Sequence, residues 1–123
     1  MRLLLDTHVL LWWLADDERL SARHRELIAR GDNRVVVSSV SIAEIAIKSS
    51  LGKLEAPDGI VDAVTLSGFE LLAFDAPHAE ALRHLPWHHR DPFDRMLVAQ
   101  AKVEHLTLLT VDLRLREYSV EIG

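Results

Sequence analysis

The chain lacks cysteine altogether, and its 123 residues include only five glycines and four prolines. Without cysteine there is no disulfide and no thiolate zinc site. The longest apolar run, residues 9–15, is far shorter than the ~20 residues that span a bilayer. Glycine-rich loops of the Gly-x-x-x-x-Gly-Lys and Gly-x-Gly-x-x-Gly types are also missing, which argues against nucleoside triphosphate and dinucleotide binding.

Basic residues are outnumbered as well: 14 Lys and Arg stand against 19 Asp and Glu, a net charge of -5. A generally basic face for non-specific nucleic-acid binding is therefore not expected. A local basic rim stays open, because six cations flank the acidic motifs, namely Lys48, Lys53, Arg90, Arg95, Arg114 and Arg116.

The apolar share, 49% of the residues, is enough for the core of one domain, which we place over residues 1–123. Asp6 and His8 interrupt the apolar start, and no small-residue cleavage site follows them. We therefore expect an intact N-terminus rather than a signal peptide, and a cytoplasmic protein without a membrane segment.

Short apolar segments alternate with helical patterns along the chain. The pattern predicts strands at residues 2–5, 35–37, 69–73 and 106–110, with a last short strand at 120–122. Helices are predicted at residues 7–14, 21–30 and 41–50, and three more open at Pro57, Pro77 and Asp91-Pro92. This alternation predicts a three-layer α/β/α fold with a mainly parallel sheet, whose ligands bind beyond the carboxyl ends of the strands.

Four acidic residues follow strands or open helices: Asp6, Glu44, Asp94 and Asp112. Carboxylates that share a site repel one another unless protons or a cation offset their charge. Mg²⁺ and Mn²⁺ prefer oxygen ligands, and Mg²⁺ commonly bridges carboxylates to a substrate phosphate. The four acids therefore predict a divalent metal site for phosphate chemistry.

Each acid also has an ordinary structural interpretation. Asp6 suits a helix cap, Ser41 and Glu44 fit a capping box, and Asp112 suits a turn. Asp91 and Asp94 both suit a first helical turn, so we assign the ligand role to Asp94 and a supporting role to Asp91. The coincidence of four such acids, each near a strand end or a helix start, favours the shared site.

The seven histidines do not form a zinc motif, since His-Glu-x-x-His is missing and Pro86 separates His84 from His88. We expect His88 and His89 to be solvated loop residues. His8 follows Asp6 by two residues, and contact with a metal-bound water or helix packing are both open for it.

Four segments carry the acidic residues in order along the chain: Leu-Leu-Leu-Asp6-Thr-His, Ser38-Ser-Val-Ser-Ile-Ala-Glu44, Asp91-Pro-Phe-Asp94-Arg and Leu109-Thr-Val-Asp112. In these segments the chain resembles PIN-domain proteins, specifically VapC-like toxins. The resemblance extends over essentially the whole length and includes Gly52-Lys53-Leu54.

The resemblance implies a ribonuclease toxin that cuts transfer or ribosomal RNA with Mg²⁺ or Mn²⁺, leaving a 5′-phosphate and a 3′-hydroxyl. It also implies a small VapB-like antitoxin partner and a homodimer. The implied metal ligands are Asp6, Glu44, Asp94 and Asp112, with Asp91 reaching a metal or only its waters. The implied hydroxyls that bond these ligands or the substrate belong to Thr7, Ser38 and Thr110.

Three cations beside the motifs are candidates to contact the phosphate backbone of RNA: Arg95, Lys48 and Arg114. Their ordinary interpretation is that of solvated surface charges.

Two alternatives come from other classes. An aspartate-nucleophile phosphatase would use Asp6, but it usually needs another aspartate two residues later, where this chain has His8. A catalytically inactive PIN-like interaction module would instead use the apolar face around Trp12 and Trp13 to bind a partner.

Overall fold

The computed structural model describes residues 1–123. Its centre is an all-parallel sheet in the order β3-β2-β1-β4. The four strands are β1 (Arg2–Leu5), β2 (Arg34–Ser38), β3 (Glu70–Leu72) and β4 (Thr107–Leu109). Six helices connect or follow them: α1 (Thr7–Leu14), α2 (Ala22–Ala29), α3 (Ser39–Ser50), α4 (Ile60–Leu66), α5 (Ala76–Ala81) and α6 (Pro92–Glu104). Two 3₁₀ turns lie at Leu82–His84 and Leu113–Glu117.

Alternate residues of the central strand β1 bury opposite faces of the sheet, as the two-residue period of a strand requires. Leu3 and Leu5 join a core with side chains of α1, α2 and α4, while Leu4 joins a second core with side chains of α6. All three leucines are inaccessible to solvent. The predicted three-layer α/β/α fold with a parallel sheet is confirmed.

Some predicted element boundaries were wrong. Helix α4 begins at Ile60 rather than Pro57, after Gly59 with φ +75°, a left-handed conformation that glycine adopts without steric cost. Helix α3 begins at Ser39, and its cap is Ser38 rather than Ser41. The predicted last strand contributes a single parallel bridge between Leu108 and Ile122.

The apolar helix α1 is largely covered by the chain itself. Trp12 and Trp13 are half-buried against the first core, where the Trp13 ring lies 6.1 Å from Phe69 and the Arg19 guanidinium 5.4 Å from the Trp12 ring. The face that the interaction-module hypothesis relied on is therefore mostly internal. None of the six helices has the length and hydropathy needed to cross a membrane.

Candidate active site

Asp6 follows β1 directly and caps α1. Its Oδ1 accepts from the Val9 amide at 2.9 Å, and its Oδ2 accepts from the Thr110 hydroxyl at 2.5 Å. The Asp6 amide in turn donates to the Leu109 carbonyl, which ties the end of β1 to the end of β4. Burial raises the pKa of Asp6, with a smaller contribution from the charge of Glu44, while the two hydrogen bonds oppose the rise.

Glu44 reaches the same place from α3. Its buried Oε1 accepts from the Thr7 hydroxyl at 2.6 Å, and its Oε2 accepts from Lys48 Nζ at 2.5 Å. The expected capping box is wrong, because Ser41 is buried and its hydroxyl lies 3.1 Å from that of Thr7. The hydrogen bond to Glu44 is the main reason why the pKa of Lys48 is raised. Lys48 is therefore paired with a site carboxylate rather than free for a phosphate.

Asp91 and Asp94 open α6, as predicted. Asp91 is the cap, and its Oδ1 accepts from the Asp94 amide at 3.0 Å. Burial raises the pKa of Asp94 to about 7, and the charges of Asp91, Asp6 and Glu44 add to this rise, whereas His89 opposes it. Asp6 and Glu44 thus act on Asp94 through their charge, whereas His89 and Asp112 each bring a possible ligand atom within 4.8 Å of one on Asp94.

Asp112 lies just beyond β4 and joins this neighbourhood through Thr110, whose Oγ1 accepts from the Asp112 amide at 3.1 Å. Both oxygens of Asp112 accept from the Arg114 guanidinium, at 3.1 and 2.9 Å. These bonds are the main reason why the pKa of Asp112 lies below its usual value. Arg114, a predicted phosphate contact, thus lies at the rim of the site with its side chain 65% exposed.

His89 is a site residue that the sequence interpretation missed. It is only 7% exposed, and its Nε2 lies 2.9 Å from Asp94 Oδ2 and 3.1 Å from Asp112 Oδ2. Its Nδ1 accepts from the Asp91 amide at 3.2 Å, so the proton of the neutral ring is on Nε2, which donates to Asp112. The expectation that His89 is solvated is wrong, whereas His88 is exposed. The place of His89 in the sequence could have indicated this role, because the loop that leads to the Asp91 cap must run past the site.

Two predicted site residues have structural roles instead. Arg95 is 4% exposed, and its guanidinium donates to the carbonyls of Leu85 and Pro86 and to the Tyr118 hydroxyl at 2.8–3.1 Å. Ser38 is inaccessible to solvent, donates to Gln100 and accepts from the Val40 amide. Arg95 therefore supports a loop in place of the predicted phosphate contact, and Ser38 joins α3 to α6 in place of a substrate contact.

His8, for which two interpretations were open, lies on the exposed side of α1. Its ring is 5.9 Å from that of Trp12. Its charge also opposes the rise in the pKa of Asp6, so both interpretations of His8 stay predictions.

The side chains present fit a hard divalent cation. The donor set is made of carboxylate oxygens and one imidazole, with no thiolate, and burial raises the pKa of both Asp6 and Asp94. Lys48 and Arg114 each neutralise one carboxylate, which leaves negative charge unbalanced in the centre. The possible ligand atoms that all lie within 4.8 Å of one another belong to His89, Asp94 and Asp112.

This combination of a parallel α/β sheet with acids at the carboxyl ends of its strands defines the class of the protein. A family model described as PIN domain matches residues 3–121. The chain therefore belongs to the PIN domain family, whose members are nucleases that generally use divalent metals.

Solved structures share the fold at low sequence identity. VapBC2 from Rickettsia felis, bound to a DNA fragment from its promoter, has a TM-score of 0.74 and 18% identity over 100% of this chain and 98% of that one. DNA-bound VapBC from Salmonella typhimurium has a TM-score of 0.68 and 20% identity, covering 100% and 97% of the two chains. FitAcB from Neisseria gonorrhoeae has a TM-score of 0.66 and 21% identity, covering 98% of this chain and 95% of that one. A comparison with curated proteins finds no match.

Proposed function

We propose that the protein is a Mg²⁺- or Mn²⁺-dependent endoribonuclease. The observation that carries this proposal is the cluster of carboxylates near the carboxyl ends of β1 and β4. His89 lies between Asp94 and Asp112, and Thr110 links Asp112 to Asp6. Glu44 accepts from Thr7, the residue that follows Asp6 in the chain. Asp6, Glu44, Asp94 and Asp112 would hold the cation. Such a site suits hydrolysis of a phosphodiester better than binding alone, because no lysine or arginine pairs with Asp6 or Asp94, whereas Glu44 and Asp112 have such partners.

The side chains divide the work between holding charge and fixing orientation. A bound divalent cation would offset the carboxylates and favour attack of water on phosphorus. Thr7 holds Glu44, and Thr110 holds Asp6 while its oxygen accepts from the Asp112 amide. His89 holds Asp94 and Asp112 through Nε2. Arg114 at the rim is the predicted cation best placed to meet an RNA phosphate, once it leaves Asp112.

We further propose that the protein is the toxin of a toxin–antitoxin pair in the cytoplasm. The support is the shared fold with VapBC and FitAB, which are complexes of two components. On this proposal a small VapB-like protein covers the site, and the toxin itself is a homodimer. The substrate class is transfer or ribosomal RNA.

The test is an RNA cleavage assay with purified protein. Labelled transfer and ribosomal RNA are incubated with Mg²⁺, with Mn²⁺ or with EDTA, beside Asp6→Asn and the matched control Asp58→Asn, an exposed acid outside the site. We expect cleavage that requires metal and Asp6, is unaffected at Asp58, and leaves 5′-phosphate ends. Folded protein that cuts no RNA in either metal would exclude the proposal, and metal-dependent release of phosphate from small phosphomonoesters would favour the phosphatase.

A further inference from the structure

Trp87 is the exposed aromatic residue of this protein. Its side chain is 75% accessible to solvent, whereas the other six Phe, Trp and Tyr residues are half-buried or buried. An apolar ring of this size in water has no role in the core, and neither the metal site nor the fold uses its outer face.

One face of the Trp87 ring is held by a buried cation. The guanidinium carbon of Arg95 lies 3.6 Å from the ring centroid, well inside the range of a cation–π contact. Arg95 cannot move freely, because it donates to the Leu85 and Pro86 carbonyls and to the Tyr118 hydroxyl. The ring is therefore fixed in place with its second face open to solvent, which lowers the conformational entropy that binding would cost.

Trp87 also lies beside the candidate active site. It precedes His89 by two residues, and two residues of chain span at most roughly 7 Å. His89 Nε2 donates to Asp112 and lies 2.9 Å from Asp94 Oδ2, and the Arg95 that supports the ring directly follows Asp94. A ligand with one group at the carboxylates and another on the ring needs to extend over only a short distance.

We infer that Trp87 is a stacking platform for an unpaired RNA base next to the phosphodiester that is cut. This inference rests on the proposed function and deepens it by assigning one residue to substrate binding. Flat aromatic faces bind unpaired bases by stacking, with little sequence preference. The chain neighbours Pro86, His88 and Arg90 are all exposed, so the loop around Trp87 is open to solvent and carries one further cation.

The experiment measures RNA binding without cleavage. Asp6→Asn protein is titrated against a short fluorescein-labelled single-stranded RNA of mixed sequence, alone and combined with Trp87→Ala or Trp87→Phe. Leu66→Ala, at a fully exposed leucine on α4, is the matched control. We expect Trp87→Ala to raise Kd roughly 5- to 150-fold and Trp87→Phe to retain most of the affinity, since base–aromatic stacking has this size.

A second titration uses RNA with abasic positions. Loss of bases should weaken binding to the Trp87-containing protein and have little further effect on Trp87→Ala. Thermal melting of each variant shows that the fold is intact, and the abasic RNA tests the intact ring even where a variant does not fold. Equal affinity of Trp87→Ala and its parent for RNA, or equal affinity of the parent for abasic RNA, overturns the inference.

The two proposals fail in different ways. Trp87-dependent RNA binding without any cleavage by the native protein would support the platform while excluding the nuclease. Metal-dependent cleavage with a KM that Trp87→Ala leaves unchanged would support the nuclease while excluding the platform.

Discussion

His89 donates from Nε2 to Asp112 Oδ2 at 3.1 Å, and the Asp91 amide bonded to its Nδ1 fixes the ring in the tautomer that makes this possible. The same Nε2 is 2.9 Å from Asp94 Oδ2, so one side chain lies between two carboxylates from different elements. Partners that orient metal ligands typically contribute a factor of about 10–100 in metal affinity.

We therefore predict that His89→Ala weakens Mn²⁺ binding by about 10- to 100-fold, measured by calorimetry. His89→Gln, which keeps a donor at a similar position, should recover part of this affinity. His88→Ala is the matched control, because His88 is exposed beside it. Unchanged Mn²⁺ affinity in His89→Ala would show that the histidine does not position the ligands.

Asp94 gives the metal-free protein a distinct pH dependence. Its folded pKa of about 7 lies above the ordinary value of 3.8, mainly because of burial, so the folded state holds the proton more tightly than the unfolded state. The resulting penalty is absent below pH 3.8, grows as pH rises toward 7 and is complete above it.

In EDTA we expect the melting temperature of the native protein to fall between about pH 4 and pH 7, and Asp94→Asn to reduce this fall, since asparagine does not titrate. The measurement is thermal unfolding across that range, with exposed Asp58→Asn as control. Mg²⁺ should raise the melting temperature of the native protein most at the upper end. Parallel curves for the native protein and Asp94→Asn would contradict the assignment.

Tyr118 supports the loop that carries His89, and a variant without its hydroxyl tests this support. Its hydroxyl accepts from the His89 amide and from Arg95, both at 3.1 Å in a buried region. Tyr118→Phe keeps the ring but leaves two donors without this partner, so we expect unfolding to become easier by about 1–3 kcal/mol. Chemical denaturation measures this change. If the Tyr118 hydroxyl were dispensable, the denaturation midpoint would not move.

Variants of Ser38 and Thr7 compare a hydroxyl with a structural role to a hydroxyl that bonds a site carboxylate. Ser38→Ala removes the cap of α3 and a partner of buried Gln100, which should cost about 1–3 kcal/mol of stability while leaving Mn²⁺ affinity unchanged. Thr7→Val removes the donor to Glu44 and should weaken Mn²⁺ binding. Denaturation and calorimetry on both variants check the contrast, and a loss of Mn²⁺ affinity in Ser38→Ala would return that hydroxyl to the site.

The sequence was sufficient to predict the sheet and the acids because both depend on local patterns. An apolar strand such as β1 ends where Asp6 begins, and parallel strands deliver their ends to one edge. His89 and Arg95 could not be assigned in this way, since their roles depend on how the loop at residues 85–91 folds against α6 and Tyr118. Charge alone made Arg95 look like a surface cation, and only its burial among carbonyl groups shows otherwise.

The bond from Thr110 to Asp6 joins positions 104 apart in the chain. During synthesis, Asp6 is therefore made long before Thr110, whose hydroxyl donates to the Asp6 carboxylate. A growing polypeptide that has not yet released β4 and Asp112 from the ribosome carries Asp6 without its partners. The carboxylate site would then be complete only at the end of translation, so a partly made chain has Asp6 but not yet the cluster around it.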